Sequence, residues 1–301
     1  MTINQTAALP RVQTERGPAA ITGSRIRVFD LVMKGASILA GAFTVALTAG
    51  LLVYILIKGL PSTTVEFLTT VPSALKKTYG ILPNILNTVY MILLTLLIAT
   101  PLGIGAAIYL NEYAKKGRLV RLIEFTTEAL SGIPSIIYGL FGYMCFGNFL
   151  GFGYSILSGA LTLSIMVLPT VIRTTEEALR TVPQGYREGA AGLGASKWHL
   201  IRTILLPCCK NGIITSVILS IGRIVGESAA LIFTAGIATN LPKNLFGHIL
   251  SSGATLTVQL YQYADRGLND VCFSIAAILV LIVLAINLTT RLISSRQRKQ
   301  G

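Results

Sequence analysis

Six apolar runs, each about as long as a lipid bilayer is thick, constrain this 301-residue chain more than any other feature of its sequence. A helix needs roughly 20 apolar residues to cross the hydrocarbon core of a bilayer. The first run, 35–57, is too long to be the apolar part of a signal peptide. Only 12% of the residues are charged, against about 25% in soluble domains. The other runs are 84–110, 132–153, 154–172, 211–238 and 271–293. We therefore predict an all-α integral membrane protein with six transmembrane helices.

The basic residues lie mostly on one side of this predicted bundle. The two tails, the loop between the second and third spans and the loop between the fourth and fifth spans carry 19 of the 25 lysines and arginines. Because basic residues accumulate in cytoplasmic loops, we predict that both termini are cytoplasmic. Residues 1–34 are then a disordered basic tail, 58–83 an external loop and 294–301 a second tail. The net charge of +13 is explained by this topology, so no nucleic-acid partner is predicted.

The fifth predicted span carries two opposite charges, Arg223 and Glu227, within an apolar segment. Residues four apart on a helix share one face. A charge at the centre of a bilayer costs on the order of 3 kcal/mol, so such residues usually face a protein interior or a water path. We interpret the pair as part of a path for a solute near the middle of the membrane. The alternative is an internal ion pair that locks helices together. Gly222 and Gly226 have a spacing that allows a neighbouring helix to pack closely.

The loop between the fourth and fifth spans is long and polar, and its sequence predicts short helices. We expect helices over 174–181 and 186–193, a break at Pro183, a turn at Gly194, and a helix from Ser196 towards residue 206 with Ser196 as its N-cap. The glycines at 189 and 194 have the spacing of a phosphate-binding loop, but alanine and serine follow where lysine and serine or threonine are required. The chain therefore has no nucleotide site of its own, and we predict that it is not an enzyme.

Part of this loop, 186–207, resembles the EAA loop of the membrane subunits of type I ABC importers. The matching positions are Glu188, Gly189 (alanine in the pattern), Ala190, Gly194, Ile204, Leu206 and Pro207. In that family the loop places a short helix in a groove of a separate ATPase subunit. The resemblance implies an ABC transmembrane type-1 domain over 84–293, with ATP and Mg²⁺ bound by the partner ATPase and no cofactor or metal bound by this chain.

The chemistry of the buried pair favours phosphate as the substrate. A guanidinium fork suits a tetrahedral oxyanion, and Glu227 can accept a hydrogen bond from an oxyanion that keeps a proton near neutral pH, as phosphate does and sulfate does not. The segments LPNILNTVY (82–90), SGIPSIIYGLFG (131–142), RTTEEALRTVP (173–183) and GRIVGESAALIFTAG (222–236) resemble the PstA family of phosphate importer permeases. Ser228 stands where threonine is usual, and Ala230 where many members have proline, which puts a helix kink in doubt.

The PstA resemblance implies a multi-pass protein of the bacterial plasma membrane with several partners. These are a second, PstC-like permease, two PstB-like ATP-binding subunits and an external PstS-like phosphate-binding protein. Arg223, Glu227 and Ser228 would line the substrate path. Two alternatives stay open: an ABC importer of another oxyanion, such as sulfate or molybdate, and an ion-coupled secondary anion carrier, which would have no use for an EAA loop. His199 and His248 are isolated in the sequence, so we expect no metal site.

Overall fold

The computed structural model describes residues 24–73, 78–115, 117–242, 244 and 247–298. Within these residues the regular elements are helices, with one isolated β-bridge between Ser73 and Thr78. The chain divides into two compact units, 1–52 and 53–301. The helices that concern function all belong to the second unit.

The first unit contains most of helix α1 (Ser24–Gly59). From Phe29 onward almost all of its side chains in this unit are exposed, which fits a helix surrounded by lipid. The helix begins before the predicted start at residue 35, so the prediction of a disordered tail is wrong for 24–34. That stretch contains no glycine or proline that would stop a helix. The rest of the predicted tail, 1–23, lies outside the described residues.

The second unit is built around two long helices. After the short α2 (Val65–Thr69), α3 (Leu82–Ile108) ends in a π-helical turn, Tyr109–Tyr113, and α6 (Ile156–Arg180) packs along it. A Cβ at Gly103 in α3 would lie 2.6 Å from Val171 Cγ1, so this glycine allows the close approach. Helix α6 extends beyond the predicted end of the fourth span at residue 172. These helices form the framework on which the other segments are placed.

The third span is bent. Helix α4 (Arg118–Gly132) meets α5 (Ser135–Gly142), which continues as a π-helical segment to Phe149, at an angle of 105°. Ile133 is extended (φ −73°, ψ 131°), as expected for a residue before proline. The prediction of one span over 132–153 is therefore wrong at its start, and α4 occupies residues that we assigned to the preceding loop.

The predicted separate helix over 174–181 is wrong, because residues 174–180 continue α6, whereas the rest of the loop between the fourth and fifth spans follows the predicted pattern of short helices. We call 181–209 the fourth–fifth loop. It contains α7 (Gln184–Gly192), α8 (Lys197–Leu200), a π-helical turn (Ile201–Leu205) and α9 (Leu206–Cys208). Pro183 precedes α7, Gly194 has φ +74°, and Ser196 Oγ accepts the His199 N–H at 3.2 Å. The predicted break, turn and N-cap are confirmed.

The fifth span is broken and the sixth is continuous. Helix α10 (Lys210–Gly226) stops before Glu227, α11 (Ala229–Thr234) follows, and α12 (Leu256–Asp265) lies in the loop before α13 (Asn269–Arg298). The prediction of one helix over 211–238 is therefore wrong. Four described helices are long and apolar enough to cross a membrane, and the number becomes six if each of two bent pairs is one span. This number agrees with the six predicted spans, but the second bent pair joins Lys197–Cys208 to Lys210–Gly226 at an angle of 67°. It therefore begins in residues that we assigned to the loop and does not include α11. Helix α13 continues through 294–298, which we assigned to the tail, and 299–301 lie outside the described residues.

Candidate functional site

Arg223 and Glu227 flank the break in the fifth span. Arg223 lies in the last turn of α10, and the backbone leaves helical geometry at Glu227 (φ −82°, ψ 127°) and Ser228 (φ −125°, ψ −42°). All three side chains are half-buried. The helix continues through Gly226 and ends at Glu227, so the two charges lie within and directly after the last turn of α10. The break does not require the proline that many PstA permeases have at the position of Ala230.

Glu227 caps the second half of the broken span. Its Oε1 atom accepts the backbone N–H of Ala230 at 3.0 Å, so it satisfies a donor that has no partner within α11. Among the described residues, the carboxylate–cation pairs within 4.0 Å are Glu176–Arg180 and Glu112–Arg187, and neither involves Arg223. The alternative of an Arg223–Glu227 ion pair therefore finds no support in this conformation.

Two threonines of the fifth–sixth loop, which we define as 235–268, lie at the break. The Thr257 hydroxyl donates to the Glu227 carbonyl at 2.7 Å, and its Oγ1 lies 3.1 Å from Thr255 Oγ1. A carbonyl released from helical pairing needs such a partner where water is scarce. Sequence analysis did not select these threonines, because they lie about 30 residues beyond the break and carry no motif.

The bend of the third span packs beside the break. A Cβ at Gly139 would lie 2.8 Å from Ala230 Cα, so the glycine lets α5 cross α11 closely. Tyr138 is buried, donates its hydroxyl to the Leu130 carbonyl at 2.6 Å, and lies within electrostatic range of Arg223. Two irregular points of the backbone, the α4–α5 bend and the α10–α11 break, therefore meet near the one charged residue in the last turn of α10.

The face of α10 that carries Gly222 and Gly226 is open. Both glycines are exposed, and no atom lies within 4 Å of a Cβ built on either of them. No helix of the described residues packs there. The predicted close approach of a neighbouring helix remains a prediction.

The residues of the EAA pattern occupy both sides of the fourth–fifth loop. Ala190 is 6% exposed and packs inward, whereas α7 and α8 present three large apolar side chains to the outside. Tyr186, Leu193 and Trp198 are 53%, 90% and 62% exposed. The remaining pattern residues are exposed at Glu188, Gly189, Gly194 and Pro207 and partly buried at Ile204 and Leu206. The loop therefore has a packed side and an apolar exposed side.

A second charged pair, which sequence analysis missed, joins the fourth–fifth loop to the second span. Glu112, in the π-helical turn after α3, accepts from Arg187 Nη2 at 2.8 Å and Nε at 3.1 Å through its Oε1 atom. The Glu112 and Arg187 side chains are only 10% and 17% exposed. They are 75 residues apart in the sequence, and no local pattern connects them.

At the other end of the second span an uncharged polar cluster holds the fifth–sixth loop. Asn87 donates through Nδ2 to the Ala254 carbonyl at 3.1 Å, which leaves its Oδ1 to accept from His248 Nε2 at 2.7 Å. Ser251 Oγ lies 2.9 Å from His248 Nδ1. His248 is 5% exposed, and burial lowers its pKa below the ordinary value. His248 therefore connects the fifth–sixth loop to the second span through buried hydrogen bonds.

Three concavities lie away from the break. One of about 690 Å³ is next to His248, one of about 530 Å³ lies between α12 and the segment around Tyr79, and another of about 530 Å³ is next to Glu112. None of the three is lined by Arg223 or Glu227. The described residues contain no cluster of three or more histidine, cysteine or acidic side chains that could hold a metal ion.

Comparison with known families decides the class of the protein. The profile of the family described as "Binding-protein-dependent transport system inner membrane component" matches residues 99–299. The chain belongs to this family. As a member of it, the chain is a membrane permease subunit of an ABC importer, a multi-pass protein of the plasma membrane, and the ATPase of such a transporter is a separate subunit.

Curated relatives cover most of this inner membrane component. It is 36% identical over 282 residues (88% of this chain, 95% of the relative) to a probable ABC transporter permease protein, YqgI, of Bacillus subtilis. It is 36% identical over 238 residues (78% and 83%) to the phosphate transport system permease protein PstA of Haemophilus influenzae. The PstA protein of Pasteurella multocida is 35% identical over 269 residues (87% and 93%).

Solved structures confirm the fold of the inner membrane component. A bacterial ABC transporter involved in alginate import matches with a TM-score of 0.63 and 16% identity, over 90% of this chain and 99% of that chain. The MetNI methionine ABC transporter, in inward-facing conformations, matches with a TM-score of 0.56 and 21% identity, over 72% and 94%. The prediction of a type I ABC importer permease fold is confirmed.

Proposed function

We propose that this permease subunit imports inorganic phosphate, with Arg223 as the residue that attracts the anion in the substrate path. The observation that carries the proposal is Arg223 itself. It is a half-buried cation in a membrane helix with no carboxylate at ion-pair distance among the described residues, in a chain that is 35–36% identical to phosphate transport permeases. An unneutralised guanidinium in such a place favours an anionic ligand.

Glu227 selects among oxyanions in this proposal, and Ser228 lines the substrate path next to it. Glu227 uses one carboxylate oxygen as a helix cap, so its other oxygen can accept a hydrogen bond from a substrate that carries a proton. Phosphate has such a proton near neutral pH, whereas sulfate and molybdate would meet the carboxylate as a like charge. This difference favours phosphate over the other oxyanions.

The fourth–fifth loop is the proposed contact with the ATPase. Its exposed apolar side chains, Tyr186, Leu193 and Trp198, form the type of surface that a partner protein covers. Tyr186 and Leu193 flank Glu188 and Gly189 of the EAA pattern in the sequence. In this proposal the ATPase binds ATP and Mg²⁺, and the loop transmits the closing movement of the ATPase to the transmembrane spans. Both termini then lie in the cytoplasm with this loop, as the distribution of lysine and arginine predicts.

The complete importer in this proposal contains a PstC-like second permease, two PstB-like ATPase subunits and an external PstS-like binding protein. A second permease would complete the substrate path next to Arg223, since the path in this proposal lies between two subunits. It would also face the open glycine side of α10.

Co-purification and transport test the proposal together. A tagged chain expressed with its neighbouring reading frames should bring down an ATPase subunit, and membranes containing the complex should take up radiolabelled phosphate in the presence of ATP. Excess sulfate or molybdate should not compete. Failure of an ATPase to associate, or full uptake after deletion of 188–193, would favour an ion-coupled carrier. Competition by sulfate would favour the alternative oxyanion importer.

A further inference from the structure

We propose that Glu112 and Arg187 form the joint through which movement of the fourth–fifth loop reaches the second span. The proposal rests on the proposed function, because it takes the loop as the element that responds to the ATPase. Neither residue contacts substrate in this proposal, and both act as positioning residues for transport.

Glu112 binds both helical arms of the loop. Its Oε1 atom accepts from Arg187, which is in α7, and from Asn111 Nδ2 at 2.7 Å, while its backbone carbonyl accepts from Lys197 Nζ, in α8, at 3.1 Å. The Lys197 ammonium also lies 5.3 Å from the centre of the Tyr113 ring. Two helices on either side of the Gly194 turn are therefore attached to one turn of the second span.

Arg187 joins the same point to the fourth span. Its Nη1 donates to the Val182 carbonyl at 2.9 Å and its Nη2 donates to the Leu179 carbonyl at 3.0 Å. Leu179 lies in the last turn of α6 and Val182 directly after its end, where the helix dipole favours a cation. All three guanidinium nitrogens are used, and a lysine at this position could not reproduce the planar fork.

The joint is largely buried, although it lines one side of the concavity next to Glu112. An apolar cluster lies beneath it and contains residues from the second span, the fourth span and the loop. Its buried members are Ala107, Leu179, Val182, Ile201, Leu205 and Cys209. Because separating two largely buried charges leaves each without its partner, we expect the pair to stay closed while the loop moves. The Arg180–Glu176 pair is different, since the Arg180 side chain is 64% exposed.

The position of the joint suits the transmission of motion. The exposed apolar side chains of α7 and α8 are available to the ATPase, and Glu112 and Arg187 hold the packed side of the same helices to the ends of two spans. A displacement applied to the exposed side therefore moves α3 and α6 together. Such a rigid connection is the physical link that coupling between distant sites requires.

The decisive measurement is the amount of phosphate transported per ATP hydrolysed by the assembled complex in proteoliposomes. Glu112→Gln keeps the shape of the side chain and removes its charge. We expect the ratio to fall roughly 2- to 30-fold, the size of change found along coupled networks, with membrane abundance and ATPase association unchanged. Arg187→Lys keeps the charge and loses the fork, so a smaller fall is expected. Glu124→Gln, an equal charge change at an exposed position of α4, is the control and should leave the ratio unchanged.

An unchanged ratio in Glu112→Gln would overturn the proposal. If that variant does not accumulate, Arg187→Lys decides in the same way: a lowered ratio supports the joint and a normal ratio overturns it. Hydrogen exchange separates this result from a failure of the proposed function. If the wild-type complex moves no phosphate, faster exchange of the 184–192 amides in Glu112→Gln than in wild type still supports the joint, and equal rates overturn it.

Discussion

The molecule contains two pairs of acidic and basic residues, of which only one forms an ion pair. Arg223 and Glu227 are four residues apart, yet they form no ion pair, because the helix ends at Glu227 and this residue binds the N–H of Ala230 instead. Glu112 and Arg187 are 75 residues apart, yet they are hydrogen-bonded at 2.8 Å and largely buried. A pair saturated by protein groups holds structure together, whereas a cation without a protein counterion remains available to a ligand. Closeness in the sequence therefore pointed to Arg223, which has no counterion among the described residues, and did not reveal the hydrogen-bonded pair of Glu112 and Arg187.

The largest effect is expected when the free cation is removed. In Arg223→Gln, phosphate uptake should fall by about 10- to 100-fold, because a charge-assisted hydrogen bond to the anion is lost. Membrane abundance should not change, since no ion-pair partner among the described residues would be left buried and unpaired by the substitution. Radiolabelled uptake normalised to protein amount measures the effect, and Arg121→Gln on the exposed surface of α4 is the control. Normal uptake would remove Arg223 from the substrate path.

Two substitutions of Glu227 separate its role as a helix cap from its proposed role in substrate binding. The amide oxygen of Glu227→Gln can still accept the Ala230 N–H, so thermal stability should be preserved while uptake falls several-fold through loss of the carboxylate. Glu227→Ala should lose both, because removal of a helix cap costs about 0.5–2 kcal/mol. Thermal unfolding in detergent and uptake, measured on the same preparations, give both quantities. Wild-type uptake in Glu227→Gln would restrict this residue to capping.

The parts of the fold that could be predicted from the sequence depend on local physics. Apolar length gave the spans, and the fourth–fifth loop was predicted closely because Ser196 and Gly194 act on their own backbone neighbours. The bend at Ile133 could also have been found, since it precedes Pro134. The break at Glu227 could not, because the group that binds its released carbonyl, Thr257, comes from the fifth–sixth loop. The Glu112–Arg187 pair depends on the three-dimensional packing of α3, α6 and α7.

A substitution of Gly194 tests how strongly the fourth–fifth loop, which carries Arg187, depends on the backbone geometry of its turn. No atom lies within 4 Å of a Cβ built at Gly194, so the cost of Gly194→Ala comes from its φ of +74° alone. We expect a loss of about 1–2 kcal/mol in the free energy of unfolding. Gly192→Ala is the matched control, because its surroundings are equally open and it lies at the end of α7 without a positive φ. There the stability should be unchanged or rise by up to about 1 kcal/mol. Equal stability of the two variants would show that the turn adapts to a side chain.

The smallest effect is expected at the uncharged contact at the other end of the second span. Burial lowers the pKa of His248, so the folded state holds it neutral while the unfolded state binds a proton below its ordinary pKa of about 6.5. The contribution of this contact to stability is therefore fully present above that pH and decreases as the pH falls towards the lowered pKa. Thermal unfolding between pH 8 and pH 5 should show a fall that is reduced in His248→Gln. The exposed His199→Gln is the control and should retain the fall seen in wild type. An identical pH dependence in His248→Gln and wild type would mean that His248 can bind a proton within the polar cluster without loss of stability. Both ends of the second span would then be held by groups that tolerate charge.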